Sequence, residues 1–316
     1  MNVTLRQLRV FSAVARHLSF TRAAEELCLT QPAVSMQVKQ LENQLDVPLF
    51  EHLGKKIFLT EMGKEVYHYS RAILQQIDEL QGVLNSMKGL GKGRLKISVA
   101  STANYFIPVL LAGFCRRYPG VTVSLDVTNR ETLLTQLADN EVDLVVMGQP
   151  PEDMDLGYEA FLENPLVIVA PPEHPLAREK KIPLKRLEQE VFLVREPGSG
   201  TRIAMERFFA QHDVRITTGM EVGSNEAIKQ SVQAGLGLGL LSRDTVEMEL
   251  ALGRLVILHV AEFPIMRYWY VVNRHGKRLS VVAQAFKDYL IKESPSLLGK
   301  GEQKLPQAAT KKARGA

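Results

Sequence analysis

The stretch TRAAEELCLTQPAVSMQVKQLE, residues 21–42, contains two short helical patterns separated by a few residues, and the second opens with Pro32. Packing alone is better served by one longer helix, so this break constrains the fold more than any other feature. Before it, Leu5, Leu8, Val10, Phe11, Val14, Ala15 and Leu18 follow helical spacing and predict a first helix over roughly 4–17. Ser19 or Thr21 can cap the next helix, whose inner face carries Ala23, Ala24 and Leu27. Thr30 is the N-cap candidate of the third, and Pro32 falls near its first position, where a missing N–H costs little. Val34, Val38 and Leu41 lie at i, i+4 and i+7 and form its buried face. A turn of about three residues forces two helices to cross steeply, which makes this a helix-turn-helix.

After Pro48 the pattern changes. LFEH, LGKK and IFLT read as two short strands around a Gly-containing turn, a wing. From Thr60 a long helix follows, because no Pro occurs over 61–90 and apolar residues recur throughout. Val66, Ile73, Ile77, Leu80, Leu84 and Met87 fall at coiled-coil spacing, and a rod of roughly 45 Å with that seam calls for a second copy of the chain to cover it. GLGKGRLKISVA, residues 89–100, ends the rod at a hinge. Strand-like runs LKISV, VTVSLDV, DLVVM, LVIVA, FLVR and YWYVV then alternate with helical stretches at 105–118, 130–138, 201–212, 225–234 and 279–291. This order predicts an α/β region with largely parallel sheets buried on both faces, long enough for two lobes. Residues 294–316 are Lys, Gly, Ala and Pro with little apolar content and read as a disordered basic tail.

Charge matters only by position. Residues 1–94 carry twelve Lys and Arg against nine Asp and Glu, whereas the tail carries five against Glu302, so much of the net +4 belongs to the tail. A global argument for nucleic-acid binding is therefore weak. Two cysteines, Cys28 and Cys115, do not support a disulfide framework. No secretory signal or run of about 18 apolar residues is present, which points to the cytoplasm and away from a membrane. GLGLG at 235–239 lacks the spacing of a dinucleotide fingerprint and fits close strand packing better. No phosphate-binding loop, nucleophile elbow or His/Cys metal pattern occurs, so no catalytic or metal residues are assigned.

Two constellations carry function. With the apolar face of the third helix buried, Gln31, Ala33, Ser35, Met36, Gln37 and Lys39 are left outside beside Thr30 and Pro32. Gln and Ser suit base edges and phosphates, Lys supplies charge, and the helix N-terminus adds N–H donors. Lys55 and Lys56 at the wing tip can reach a neighbouring groove. The second constellation lies at strand ends, where Ser101, Thr102, Asn104, Thr128, Asn129, Ser199, Thr201, Arg202 and Asn225 sit in four polar turns. Ligands of open α/β sheets bind there, and hydroxyls with one Arg suit a small carboxylate or phosphate ester. The competing reading is an α/β solute-binding or enzymatic protein whose N-terminal helices only oligomerise it. Deleting residues 1–60 separates the two, since a regulator then loses DNA but keeps its ligand.

The broken helix pair, the wing with its LF and LT, the long helix and the two α/β lobes together resemble the LysR-type transcriptional regulators over roughly residues 3–293. ASTANYF, FCRRYPGVTVSLDVTNRE and LADNEVDLVVMG look most like the branch that regulates Calvin-cycle (RuBisCO) carbon-fixation operons. The resemblance implies a winged helix-turn-helix at 1–60 with its third helix in the major groove, and a linker helix at 61–90. Beyond these it implies an effector domain like the periplasmic binding proteins, with lobe I at 95–163 plus 267–293 and lobe II at 164–266. On matching positions Gln31, Pro32, Ser35 and Met36 face DNA and Lys55 serves the wing. Where the family often has Arg, this chain has His52 and Lys55, and Lys55 keeps the charge without the bidentate fork. Ser101, Thr102, Thr128 and Thr201 fall at or near the family's ligand positions. A homotetramer built from two linker-helix dimers is implied, with no cofactor. The expected effectors are sugar phosphates, phosphoenolpyruvate-like acids, nucleotides or NADPH; a regulator of aromatic or amino-acid metabolism is the alternative.

Overall fold

Thr4 starts the first helix with a reciprocal cap: its hydroxyl accepts from the Gln7 N–H (3.2 Å), and the Gln7 side-chain oxygen accepts from the Thr4 N–H (2.8 Å). The computed structural model describes residues 3–54, 56–86 and 92–299, and the chain divides into two units at Leu84/Asn85. In the first unit, α1 (Leu5–His17), α2 (Phe20–Leu27) and α3 (Gln31–Leu45) precede the hairpin β1 (Phe50–Leu53) and β2 (Lys56–Leu59) and the long α4 (Glu61–Ser86). Ser19, rather than Thr21, caps α2 by accepting from the Arg22 N–H. Cys28 ends α2 in the left-handed conformation (φ 54°), and the Leu29 N–H turns back to the Ala24 carbonyl. Only Cys28, Leu29 and Thr30 separate α2 from α3.

Phe11, Val14, Ala23, Val34, Val38, Leu41 and Leu49 form the core of this unit. Phe50 of the wing packs on both Phe11 (5.4 Å) and Phe20 (5.8 Å), and Tyr67 of α4 packs on Phe11. Thr60 joins wing to rod, since its hydroxyl donates to the Pro48 carbonyl and accepts from the Gly63 N–H. Gly63 lies against the Leu49 carbonyl, which a Cβ would approach to 2.1 Å. Gly63→Ala is expected to destabilise this unit by about 1–3 kcal/mol through the forced backbone shift. A lower urea midpoint for the unit would show it, and an unchanged midpoint would mean that the Leu49 carbonyl moves without cost.

The seam of α4 needs correction. Val66, with Tyr67 and Leu74, packs against the core of its own winged unit. The stripe left open is Met62, Tyr69, Ile73 and Leu80, at 50, 63, 42 and 57% exposure, with Ile77 half-buried beside it. A 7-4-7 spacing keeps these four on one face. Met87 and the side chain of Leu84 lie outside the described residues.

The second unit has two five-stranded sheets. The first, in order β4-β3-β5-β12-β6, comprises β3 (Gly93–Ala100), β4 (Val121–Thr128), β5 (Leu144–Met147), β6 (Leu156–Glu163) and β12 (Tyr268–Arg274). It is packed by α5 (Ile107–Arg117), α6 (Arg130–Ala138) and α10 (Val281–Leu297). The second, in order β11-β7-β10-β8-β9, comprises β7 (Leu166–Ala170), β8 (Val191–Arg195), β9 (Thr217–Val222), β10 (Leu238–Ser242) and β11 (Val256–Ile257). Its helices are α7 (Gly200–Gln211), α8 (Asn225–Gln233) and α9 (Glu247–Ala251). The chain leaves the first sheet at Glu163 and returns to it at Tyr268, so two short crossovers join the lobes.

The expectation of largely parallel sheets fails. Four pairings are parallel (β3 with β4 and β5, β8 with β9 and β10) and four antiparallel (β12 with β5 and β6, β7 with β10 and β11). The antiparallel strands of the first sheet flank the crossovers, and β–α alternation along the sequence does not reveal strands that enter from another lobe. Nor is every strand covered: β4 and β9 are edges with mostly exposed residues, while β5, β7 and β10 are buried throughout. The boundary of the tail also shifts. α10 continues through Pro295 to Leu297, and Ser294 is fully buried with its hydroxyl donating to the Leu290 carbonyl. Residues 300–316 lie outside the described residues.

Candidate functional site

Two surfaces gather the residues singled out above. On α3, burial of Val34, Val38 and Leu41 turns Gln31, Pro32, Ser35, Met36 and Lys39 outward on one face, with Met36 54% exposed. Ala33 and Gln37 are half-buried at its edge. Thr30 occupies the N-cap, but its side chain makes no capping bond, so the first-turn N–H groups of α3 stay available to an anion. Lys39 makes only a long contact with Glu42 (3.9 Å), which leaves its charge largely uncommitted. Lys56 is exposed on the wing. Lys55 and the side chain of His52 lie outside the described residues.

The second site is a cavity of about 40 Å³ between the lobes of the second unit. Ser101 and Thr102 reach it from a short 3-10 turn, Ser101–Tyr105, that follows β3. Thr128 ends β4, Asn129 caps α6, and Ser199 and Thr201 sit at the start of α7. Thr102, Ser199 and Thr201 are buried, and Ser199 makes no capping bond with its side chain. Six of the nine expected ligand residues thus line one cavity.

Three do not. Asn104 is exposed on the outer side of the turn. Arg202 follows Thr201, but the helical rotation turns it outward, where Glu206 (2.8 Å) and Glu221 (2.6 Å) hold it. Asn225 lies one layer behind the cavity and accepts from Arg195 Nη1 at 2.7 Å.

The cations of the cavity come from elsewhere. Arg195, at the end of β8, is neutralised by a bidentate pair with Glu196 (2.7 and 2.8 Å). Arg267 belongs to the second crossover and donates through Nη1 only to the Gly200 carbonyl (2.9 Å), while its buried Nε has no partner. Burial, and then the nearby charge of Arg130, push its pKa down to about 10. Arg130 is itself shifted down, by burial first and then by Arg207, with Asp153 opposing, and its guanidinium donates to the Gln149 carbonyl. Asn164 of the first crossover has neither side-chain atom bonded, and Trp269 Nε1 is likewise unpartnered. Both line the cavity beside Arg267. Buried cations and donors without partners cost stability, and an anion in the cavity offsets that cost.

Family models cover both units of the chain. Residues 5–64 match the bacterial regulatory helix-turn-helix proteins of the lysR family, and residues 88–295 match the LysR substrate binding domain. The chain belongs to the LysR family. Among its relatives is the RuBisCO operon transcriptional regulator of Allochromatium vinosum, 56% identical over 93% of this chain and 97% of the relative. The transcriptional activator CmpR of Synechocystis is 48% identical over 92% of this chain and 95% of the relative. The regulatory domain of Synechocystis CcmR, solved in complex with 2-PG, is 48% identical and superposes with a TM-score of 0.62 over 64% of this chain and 98% of that domain. Full-length OxyR from Pseudomonas aeruginosa, at 23% identity and a TM-score of 0.74 over 97% of this chain and all of its own, shares the fold. This LysR-family chain is a DNA-binding transcriptional regulator of the carbon-fixation group, with an effector-binding domain, and not an enzyme. No described helix is long and apolar enough to cross a membrane.

Proposed function

We propose that this carbon-fixation regulator binds a short phosphorylated acid of the 2-phosphoglycolate type in the interlobe cavity. The observation that carries the reading is Arg267, a half-buried cation whose enclosed Nε has no partner, beside Arg130, Asn164 and Trp269. An acid with two anionic ends meets Arg267 and Arg130 at one end and the hydroxyls of Ser101, Thr102, Ser199 and Thr201 at the other. Helix N-termini add to that second end. The CcmR domain, solved with 2-PG, supports this class of ligand. Calorimetric titration of the full chain with 2-phosphoglycolate, phosphoenolpyruvate, NADPH and shikimate tests it. Binding confined to the phosphorylated acids supports the reading, and preference for NADPH or shikimate rejects it.

For DNA, the reading is that α3 enters the major groove and that pairing through α4 places two copies on one two-fold operator. Gln31, Ser35 and Met36 then meet base edges, while Lys39 and Lys56 meet phosphates. Gln31→Ala is expected to lose about 1–3 kcal/mol of discrimination at one base pair. Lys39→Ala should instead weaken binding on every sequence and lower the salt slope by about one. Competition binding on operator variants across a salt series separates the two, and equal losses on all sequences from Gln31→Ala would remove it from base reading.

A further inference from the structure

We propose that Tyr105, Glu226 and Lys229 are positioning residues for effector binding, because they clamp the 3-10 turn of the first lobe onto α8 of the second. The inference rests on reading the interlobe cavity as the effector site. The Tyr105 hydroxyl donates to Glu226 Oε1 at 2.6 Å across the lobes. Lys229 Nζ lies 2.6 Å from the same oxygen and 2.8 Å from Glu249 Oε1. It also sits 4.9 Å from the centroid of the Tyr105 ring, which helps to shield an ammonium whose side chain is only 4% exposed. Tyr105 keeps its proton to about 12, through burial first and then its bond to Glu226, so the donor is present at every ordinary pH.

The clamp and the cavity are two ends of the same parts. The turn that ends at Tyr105 begins with Ser101 and Thr102, which line the cavity. The helix that presents Glu226 and Lys229 begins at Asn225, which accepts from Arg195, and Arg195 lines the cavity from the other lobe. Parting the lobes at the clamp therefore shifts cavity walls on both sides. Neither lobe needs the clamp for its own core, since each sheet has separate apolar clusters on its faces. Both carboxylates that pair with Lys229 belong to the second lobe, so parting the lobes costs the Tyr105–Glu226 hydrogen bond and the ring face over the ammonium. An arrangement populated before the ligand arrives raises apparent affinity by that population.

The test uses the full chain, with 2-phosphoglycolate as the probe. Tyr105→Phe keeps the ring over Lys229 and removes the hydroxyl, whereas Glu226→Gln keeps an acceptor and removes the charge. Tyr105→Phe is expected to weaken binding about tenfold, and the double variant to be little weaker than the poorer single one. Amide exchange over residues 101–106 should quicken in both variants without a matching fall in the melting temperature. Wild-type affinity and unchanged exchange in Tyr105→Phe would overturn the proposal, as would fully additive losses. If the wild-type chain does not bind 2-phosphoglycolate, the effector reading falls, and exchange over 101–106 alone decides the clamp: faster exchange in Tyr105→Phe upholds it and unchanged exchange rejects it.

Discussion

Replacing Arg267 with Met is expected to weaken 2-phosphoglycolate binding by about a hundredfold, or about 3 kcal/mol, the scale of a lost charge-assisted pair. Titration calorimetry measures it. The apo protein, in contrast, should melt within roughly 2–4 °C of the wild type. Met fills similar volume, and a loss and a gain nearly offset: the Gly200 carbonyl loses its donor, while a half-buried charge with an enclosed, unpartnered Nε disappears. The folded-state pKa of Arg267 lies below its ordinary value, so its penalty on the fold is fully present below about 10 and fades as pH rises through about 10 toward the ordinary guanidinium range. Between pH 6 and 8 the penalty is constant, so the variant and the wild type should show parallel pH–stability profiles there. A variant that binds 2-phosphoglycolate as the wild type does would dismiss Arg267 as its anchor.

The second large effect concerns the rod. Ile73→Glu combined with Leu80→Glu is expected to leave monomers and to lower operator affinity by roughly 10²–10⁴-fold, the loss of avidity when two linked readers become independent. The argument is geometric. Met62, Tyr69, Ile73 and Leu80 make one exposed apolar stripe on α4, of the kind that a partner helix is expected to cover. Val66 is the wrong position to mutate, because it packs on the winged core and its loss would unfold the reader as well. Sedimentation of the variant beside operator titration separates the outcomes. A variant that remains an oligomer and binds operator normally would return this stripe to a role within one chain.

How much of this was legible in the sequence depends on the kind of signal each residue leaves. Val34, Val38 and Leu41 repeat with the helical period, so the outward face of α3 could be read by subtraction. Ser199, Thr102 and Asn129 mark strand-to-helix turns, and turns of that kind converge at the ends of sheets. Arg267 and Asn164 leave no such mark. Each is a single polar residue in a crossover, and what brings it to the cavity is a neighbour about a hundred residues away: the Asn164 N–H donates to the Arg267 carbonyl at 2.7 Å. Arg202 shows the opposite error, since adjacency to Thr201 in sequence is not adjacency in space once a helix has rotated the next side chain by about 100°. β9, whose TTGMEV is exposed nearly throughout, has no alternation to detect, and β12 runs against its neighbour β5 for reasons visible only in the topology.

The cavity shared by the two lobes also sets a tempo. Its lining comes from both lobes, and Thr102, Ser199 and Thr201, whose hydroxyls a ligand would meet, are buried. A ligand that reaches these buried hydroxyls is expected to enter when the lobes part, and the lobes then close on it. Stopped-flow association should rise with ligand concentration and then level off at the opening rate, on the microsecond-to-second scale of such motions. On that plateau, the speed with which this regulator registers a pulse of metabolite is fixed by how often its lobes part, and not by how often the metabolite arrives.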